Sequence, residues 1–216
     1  SVLVTHMPKN WQLYQHIMLA DAATFEMYNA NMRSLVVERL SSAEMVLFNR
    51  CTPAMDLSAW KRSIRAVNRQ TEIVFEDEKG EELEVEDILP YDLNSDHIDL
   101  EDDDYGIWYL DIQDHPERYT GKTITFKALA MTSARLPKGT FIPGRNAMTC
   151  CEEDVRFFGF LCKYDKARTL KKGTWNTVTA KIAWEYAPVY SEEGVVLYAE
   201  CVQPAEPPED PMIYFR

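Results

Sequence analysis

The sequence predicts an α/β region followed by an all-β region, with an acidic segment between them. Three observations carry this reading. Up to about residue 90, short apolar runs alternate with stretches whose apolar residues recur at three- and four-residue steps, as strands and amphipathic helices do. Beyond residue 120, apolar residues alternate singly between turns marked by Pro and Gly, the pattern of half-buried strands. Between the two, Pro90 to Asp104 holds seven acids: Asp92, Asp96, Asp99, Glu101, Asp102, Asp103 and Asp104.

In the first region, the latter part of Trp11 to Ala20 reads as a buried strand ending at Asp21. Thr24 suits a helix N-cap, since its hydroxyl can accept from an exposed backbone N–H. Phe25, Tyr28, Met32, Leu35, Val36 and Leu40 then share one face of a helix of about four turns. Met45 to Phe48 is a second strand, ending at Asn49 and Arg50. A second helix carries Leu57, Trp60, Ile64 and Val67 on one face and Lys61, Arg62 and Arg65 on the other, with Asp56 as its N-cap. Thr71 to Phe75 is the third strand. This order predicts a partial parallel sheet, whose ligands would bind at the carboxyl ends of the strands, where Asp21 and Asn49 stand.

Residues 76 to 87 predict a hairpin. The acids up to Asp104 read as a solvated linker whose charge favours the positive N-terminal end of the following helix. They lack the spacing of a calcium loop. In that helix Tyr105, Trp108, Tyr109 and Ile112 form a stripe that reads as a docking face between domains, and His115-Pro116 stops it. Strands follow at 121–130, 145–149, 157–164, 174–186 and 195–202. Five strands with few helices predict a small, partly open, OB-like β-barrel. The tail from Gln203 is rich in Pro, and Met212 to Phe215 could dock back on a core. The predicted domains are therefore 1–90, a linker and helix at 91–120, a barrel at 121–203 and a tail at 204–216.

Charge narrows the function classes. With 35 acids against 23 bases, the net charge of −12 argues against nucleic acid or an anionic membrane as partner. No apolar run has the length of a membrane span, and five cysteines at irregular spacing point to a reducing cytoplasm. Ser1-Val-Leu-Val4 is already strand-like, so the sequence leads one to expect a piece of a longer protein.

The densest chemistry lies at Phe141 to Val155, where Cys150 and Cys151 are adjacent and Asp154 follows. Thiolates with a nearby carboxylate suit a soft ion such as zinc. Neighbouring side chains of an extended strand point to opposite faces, so both sulfurs reach one ion only if the backbone turns there. The bland alternative makes one cysteine core and the other incidental. Cys162 lies in an apolar run, and His6, His16, His97 and His115 are scattered.

Two family resemblances add to this. Residues 12 to about 90, through "ADAATFEMYNANMRSLVVERLSSAEMVLFNR", resemble the second half of the GTPase domain of CobW-type metal chaperones. That resemblance implies a P-loop-type sheet and places Asn49 and Arg50 at the guanine-reading position. The chain departs from the pattern, having Thr52 where an Asp is usual, with Asp56 the first acid and serving either that motif or the helix cap, and no G-x-x-x-x-G-K-[ST] anywhere. GTP would thus be bound only in an intact longer protein. Residues 119 to 203, with Arg145, Cys150, Cys151 and Asp154 in an Arg-x-x-Met-x-Cys-Cys-x-x-Asp core, resemble the soluble C-terminal domain of YcgQ-type permease-partner proteins, which are linked by regulation to zinc. Together the resemblances imply the C-terminal portion of a GTP-dependent zinc chaperone, its metal held by Cys150, Cys151 and Asp154, its partner a metal-receiving apoprotein. The alternative from the residues alone is a non-catalytic scaffold that binds another protein.

Overall fold

The computed structural model describes residues 6–85, 89–149 and 152–215. The chain divides into two compact units, the first ending at Asp87 and the second beginning at Ile88.

The first unit is a three-stranded parallel sheet with helices. Strand β1 (Ile17–Asp21) is followed by helices α1 (Ala22–Asn31) and α2 (Arg33–Ser42), then β2 (Met45–Asn49), α3 (Leu57–Val67) and β3 (Glu72–Phe75). The strands lie in the order β1-β2-β3, with Asp21 opposite Asn49 and Phe48 opposite Phe75. Right-handed crossovers in that order put all the helices on one face. There Ala20, Val46, Phe48 and Phe75 pack with Phe25, Leu40, Trp60 and Ile64. Phe48 is the centre, its ring within 5.4 Å of Trp60, 5.0 Å of Phe75 and 4.8 Å of Phe25.

This sheet corrects the P-loop-type expectation. A phosphate-binding loop needs glycines between a strand and the helix after it, and the first glycine of the chain is Gly80. Asp21 passes straight into α1 and caps it by accepting from the Ala23 N–H, so the cap is Asp21 and not Thr24. The single four-turn helix is two helices, broken at Met32, whose φ of −132° and ψ of 39° are not helical. The predicted buried strand is half-buried: Ile17 and Leu19 face solvent. Asp56 does cap α3, accepting from the Ala59 N–H at 2.9 Å. The hairpin after β3 reduces to a turn at Asp77 to Gly80 and one bridge, Glu76 to Glu82.

The second unit is a closed five-stranded β-barrel with extra strands and one helix. Its elements are β4 (His97–Asp99), α4 (Tyr105–Asp114), β5 (Thr123–Met131), β6 (Thr140–Met148), β7 (Val155–Gly159), β8 (Leu161–Lys163), β9 (Trp175–Ala187), β10 (Glu192–Pro204) and β11 (Met212–Tyr214). Neighbours run β6-β8-β10-β9-β5, and pairing of β5 with β6 through Leu129 and Gly144 closes the ring. The barrel is thus closed where the sequence predicted it partly open, and it is consistent with an OB-like architecture. The strand expected at 157–164 is β7 and β8, interrupted at Phe160, and β6 starts earlier than expected.

Inward positions alternate as strands require: Ile124, Phe126, Ala128 and Ala130 on β5 face Val178, Ala180 and Ile182 on β9. Helix α4 fills this core. Tyr105, Trp108 and Ile112 are fully buried against Phe126 and Phe160, so the aromatic stripe is interior and not a docking face. The acidic run is not merely a solvated linker, because Asp99 ends β4 and Asp102–Asp104 form a 3-10 turn leading into α4. The tail docks as the sequence allowed: β11 pairs parallel to β6, and the Phe215 ring packs at a tilt against Phe158. Among the described residues no helix is long and apolar enough to cross a membrane.

Candidate functional site

Four places merit comparison. The first is the carboxyl end of the parallel sheet. Asn49 and Arg50 are exposed there, and Arg50 forms an ion pair with Asp21 across the strand ends. Arg50 takes a φ of 60°, a left-handed conformation that costs a non-glycine residue of order 1 kcal/mol. The next N–H, of Cys51, donates to the Glu76 carbonyl at 2.8 Å, which fixes the turn. The arginine thus closes the end of the sheet on the helix-capping aspartate. Cys51 itself is sealed below, and burial pushes its thiol up.

The second place is the β6–β7 connection. Met148 pairs with Val155 in antiparallel register. Cys150 and Cys151 lie outside the described residues. Asp154 sits on the 3-10 turn Glu152–Asp154, about a quarter exposed, and its carboxylate accepts from the Thr149 hydroxyl and, at 3.2 Å, from Arg156 Nε. Cys162 does not join it: the thiol is buried in the barrel core, and burial pushes it up to about 12. Among the described residues no three His, Cys, Asp or Glu side chains converge on a metal position. The histidines are engaged separately, His16 with the Ser42 carbonyl and His97 with the Thr125 hydroxyl.

The third place is the interior of the barrel. Arg145 is an inward residue of β6, only 2% exposed. Its Nε donates to the Lys127 carbonyl at 2.9 Å, Nη1 to the Asp102 carbonyl at 2.8 Å and Nη2 to Asp102 Oδ1 at 2.6 Å. Lys127 Nζ donates to the other carboxylate oxygen at 2.8 Å. The guanidinium also lies over the rings of Tyr105, at 5.1 Å, and Trp175, at 5.5 Å. Partial burial pushes the Asp102 carboxyl up, but the bonds from Lys127 and Arg145 outweigh it and hold the group below its ordinary value. A second network joins Tyr91 to Tyr119, Tyr119 to Asp111 at 2.5 Å, and Arg118 to Asp111 at 3.0 Å. Both networks hold α4 and its approach against the barrel. Their donors are spent on protein acceptors, which suits architecture and leaves little for substrate.

Sequence reasoning placed Arg145 in a motif but missed Asp102 as its partner. The available signal was a charge at an inward position of an alternating strand, between Pro143 and Ala147. A buried guanidinium requires a carboxylate, and the acidic run was the nearest rich source of one.

The fourth place is a groove of about 400 Å³ along β1, between the strand and the first two helices. Leu19 is 74% exposed, Tyr28 48%, Met32 47% and Leu35 43%. Among the described residues β1 pairs with β2 alone, so its outer edge offers unpaired backbone donors and acceptors beside this apolar wall.

Residues 75–215 match the DUF1980 C-terminal domain. No curated protein matches the chain. Nothing found supports a CobW-type GTPase over residues 12 to 90, and this corrects the fusion read from the sequence. The family match begins at the last residue of β3 and runs through the acidic segment that the fusion treated as a linker, while the sheet before it lacks any glycine with which to build a phosphate loop. The guanine-reading role of Asn49 and Arg50 loses its basis with that resemblance. By a match that covers well over half its length, the chain belongs to the DUF1980 C-terminal domain family.

Proposed function

We propose that this chain is a non-catalytic protein-binding module whose β1 edge takes an extended polypeptide segment. The observation that carries the reading is the apolar groove along a strand whose outer edge has no partner among the described residues. Strand addition draws affinity from main-chain hydrogen bonds and specificity from side-chain pockets beside the edge. Tyr28, Met32 and Leu35 supply such a wall from the helices, and Leu19 stands on the other face of the same edge. Cys51, Cys162 and Cys201 are free thiols, which supports a reducing compartment such as the cytoplasm. The test is capture by the immobilised chain, compared with its Leu19→Asp and Tyr28→Asp variants. The reading expects a retained protein whose binding both variants abolish while the thermal midpoint holds. Capture indifferent to both substitutions would overturn it.

A second reading is favoured by the antiparallel pairing of Met148 with Val155, the strand residues that flank the Cys-Cys motif in sequence. In the sequence Cys150, Cys151 and Asp154 lie within five residues, a donor set whose softness fits zinc. Arg156 would have to release Asp154 for that carboxylate to reach an ion. Stoichiometric zinc in the purified chain, lost in the Cys150→Ser/Cys151→Ser variant, supports this reading. A metal content unchanged by the double substitution removes it.

A further inference from the structure

The charge of this chain is unevenly spread. The loop from β5 to β6, residues 132–139, and the loop from β8 to β9, residues 164–174, carry Arg135, Lys138, Lys166, Arg168, Lys171 and Lys172 against a single acid, Asp165. That is a local charge of +5 in a chain of −12, so everything else carries −17. All six cations are exposed. None has an ion-pair partner among the described residues, although acids outnumber bases in the chain.

The fold brings the two loops together. Thr140 pairs with Lys163 and Leu129 with Trp175, so the ends of β5, β6, β8 and β9 that bear these loops lie at one end of the barrel. The Tyr164 N–H donates to the Gly139 carbonyl, and the Gly173 N–H to the Ala130 carbonyl, both at 2.8 Å. Between the loops is an open hollow of about 430 Å³, bordered by Ser133, Lys138 and Thr140 on one side and Arg168 on the other. An unpaired cation cluster on an acidic protein is maintained against the pull of abundant carboxylates. Its field falls off within about 8 Å at physiological ionic strength, so it acts on a ligand seated there and little beyond.

We propose that this end of the barrel docks a short acidic polypeptide segment. Charge complementarity sets the sign. Six cations spread over two loops exceed what one small anion can contact, which favours a chain of carboxylates. A long polyanion, whether nucleic acid or an anionic bilayer, would extend past the patch toward a chain that is otherwise strongly acidic. Among the described residues no aromatic ring lines the hollow on which a base could stack. A segment of a few Asp and Glu residues can lie within the basic footprint. This names a partner chemistry within the protein-binding reading but on a different unit from the β1 groove, so either surface can fail alone.

The experiment follows fluorescence anisotropy of a labelled oligoglutamate peptide with the full chain at low salt. Binding should weaken steeply as salt rises. The Lys138→Glu/Arg168→Glu/Lys171→Glu variant should lose about tenfold or more in affinity. The control Lys9→Glu/Lys79→Glu/Lys181→Glu, which makes the same net charge change elsewhere, should stay close to the parent. If the reversal variant does not fold, the neutral Lys138→Gln/Arg168→Gln/Lys171→Gln variant answers the same question with a smaller loss. The Leu19→Asp variant should bind the peptide normally, which separates this surface from the groove. No binding to oligoglutamate, equal loss in the control, or tighter binding to oligothymidylate or to phosphatidylserine-containing vesicles would overturn the proposal.

Discussion

The two units treat the edges of their sheets in opposite ways. In the second, the sheet curls until β5 meets β6, and the interior charge of Arg145 is answered by Asp102. In the first, three parallel strands stop at β1, and Ile17, Leu19, Leu47 and Val74 alternate to the face away from the helices. Parallel sheets are ordinarily covered on both faces, because their strands are apolar on both. Considered by itself, the first unit has an edge and a face left over, while the barrel has spent its strands on itself. Stability should therefore concentrate in the barrel interior, and sensitivity of binding in the groove.

The largest test of that contrast is Arg145→Ala. It leaves the Asp102 carboxylate with Lys127 alone, strands two part-buried carbonyls and opens a void beside Tyr105 and Trp175. Removing one partner of a buried pair costs on the order of 3 kcal/mol. Urea denaturation followed by tryptophan fluorescence should show the loss. A cost as small as that of a surface substitution would mean the buried network is not what holds α4 in place.

Tyr119→Phe should come next. Asp111 is 7% exposed and would keep Arg118 but lose its shortest donor, and the Tyr91 hydroxyl would lose its partner. Leaving such groups under-satisfied costs about 2 kcal/mol. The same denaturation measurement checks it, and a neutral result would show that water replaces the hydroxyl at no cost.

A smaller effect lies in acid. The folded Asp102 carboxyl is held below its ordinary value of 3.8, so the folded state binds the proton less readily than the unfolded chain does. The stability it contributes is fully present above that ordinary value and is lost as pH falls through the lowered one. Unfolding free energy measured on the acid side should therefore drop more steeply for the parent than for Asp102→Asn. Parallel pH profiles would remove Asp102 from the account of acid sensitivity.

How legible this was in the sequence differed by region for a physical reason. Strands and helices declared themselves through period: β5 and β9 alternate cleanly, and α3 shows its face through Leu57, Trp60 and Ile64. What period does not carry is the partner of a residue far along the chain. Asp102 and Arg145 are 43 positions apart, so the acidic run read as solvent-facing although one of its members pairs with a buried arginine. Closure of the barrel rests on three residue pairs between β5 and β6, which no local pattern announces. The basic end of the barrel is divided between two loops 24 residues or more apart and disappears into the overall negative charge. The break at Met32 was hidden because the apolar spacing of α1 continues through it into α2.

Leu19→Ser should have the smallest effect on folding and is the sharpest test of the first unit. A side chain 74% exposed gives up little apolar contact when truncated, so the change should stay within about 0.5 kcal/mol. Its neighbours Ala20 and Met18 keep the packing of β1 on the helices. The same substitution removes the most exposed apolar side chain of the β1 edge, so bis-ANS fluorescence should fall while the denaturation midpoint stays in place. A large loss of stability would mean that Leu19 is already covered in solution, by a second copy or by another part of the polypeptide, and the groove would then be an occupied interface. An unchanged dye signal would place the accessible apolar surface elsewhere, at the exposed Trp11, Leu13 and Tyr14 before β1.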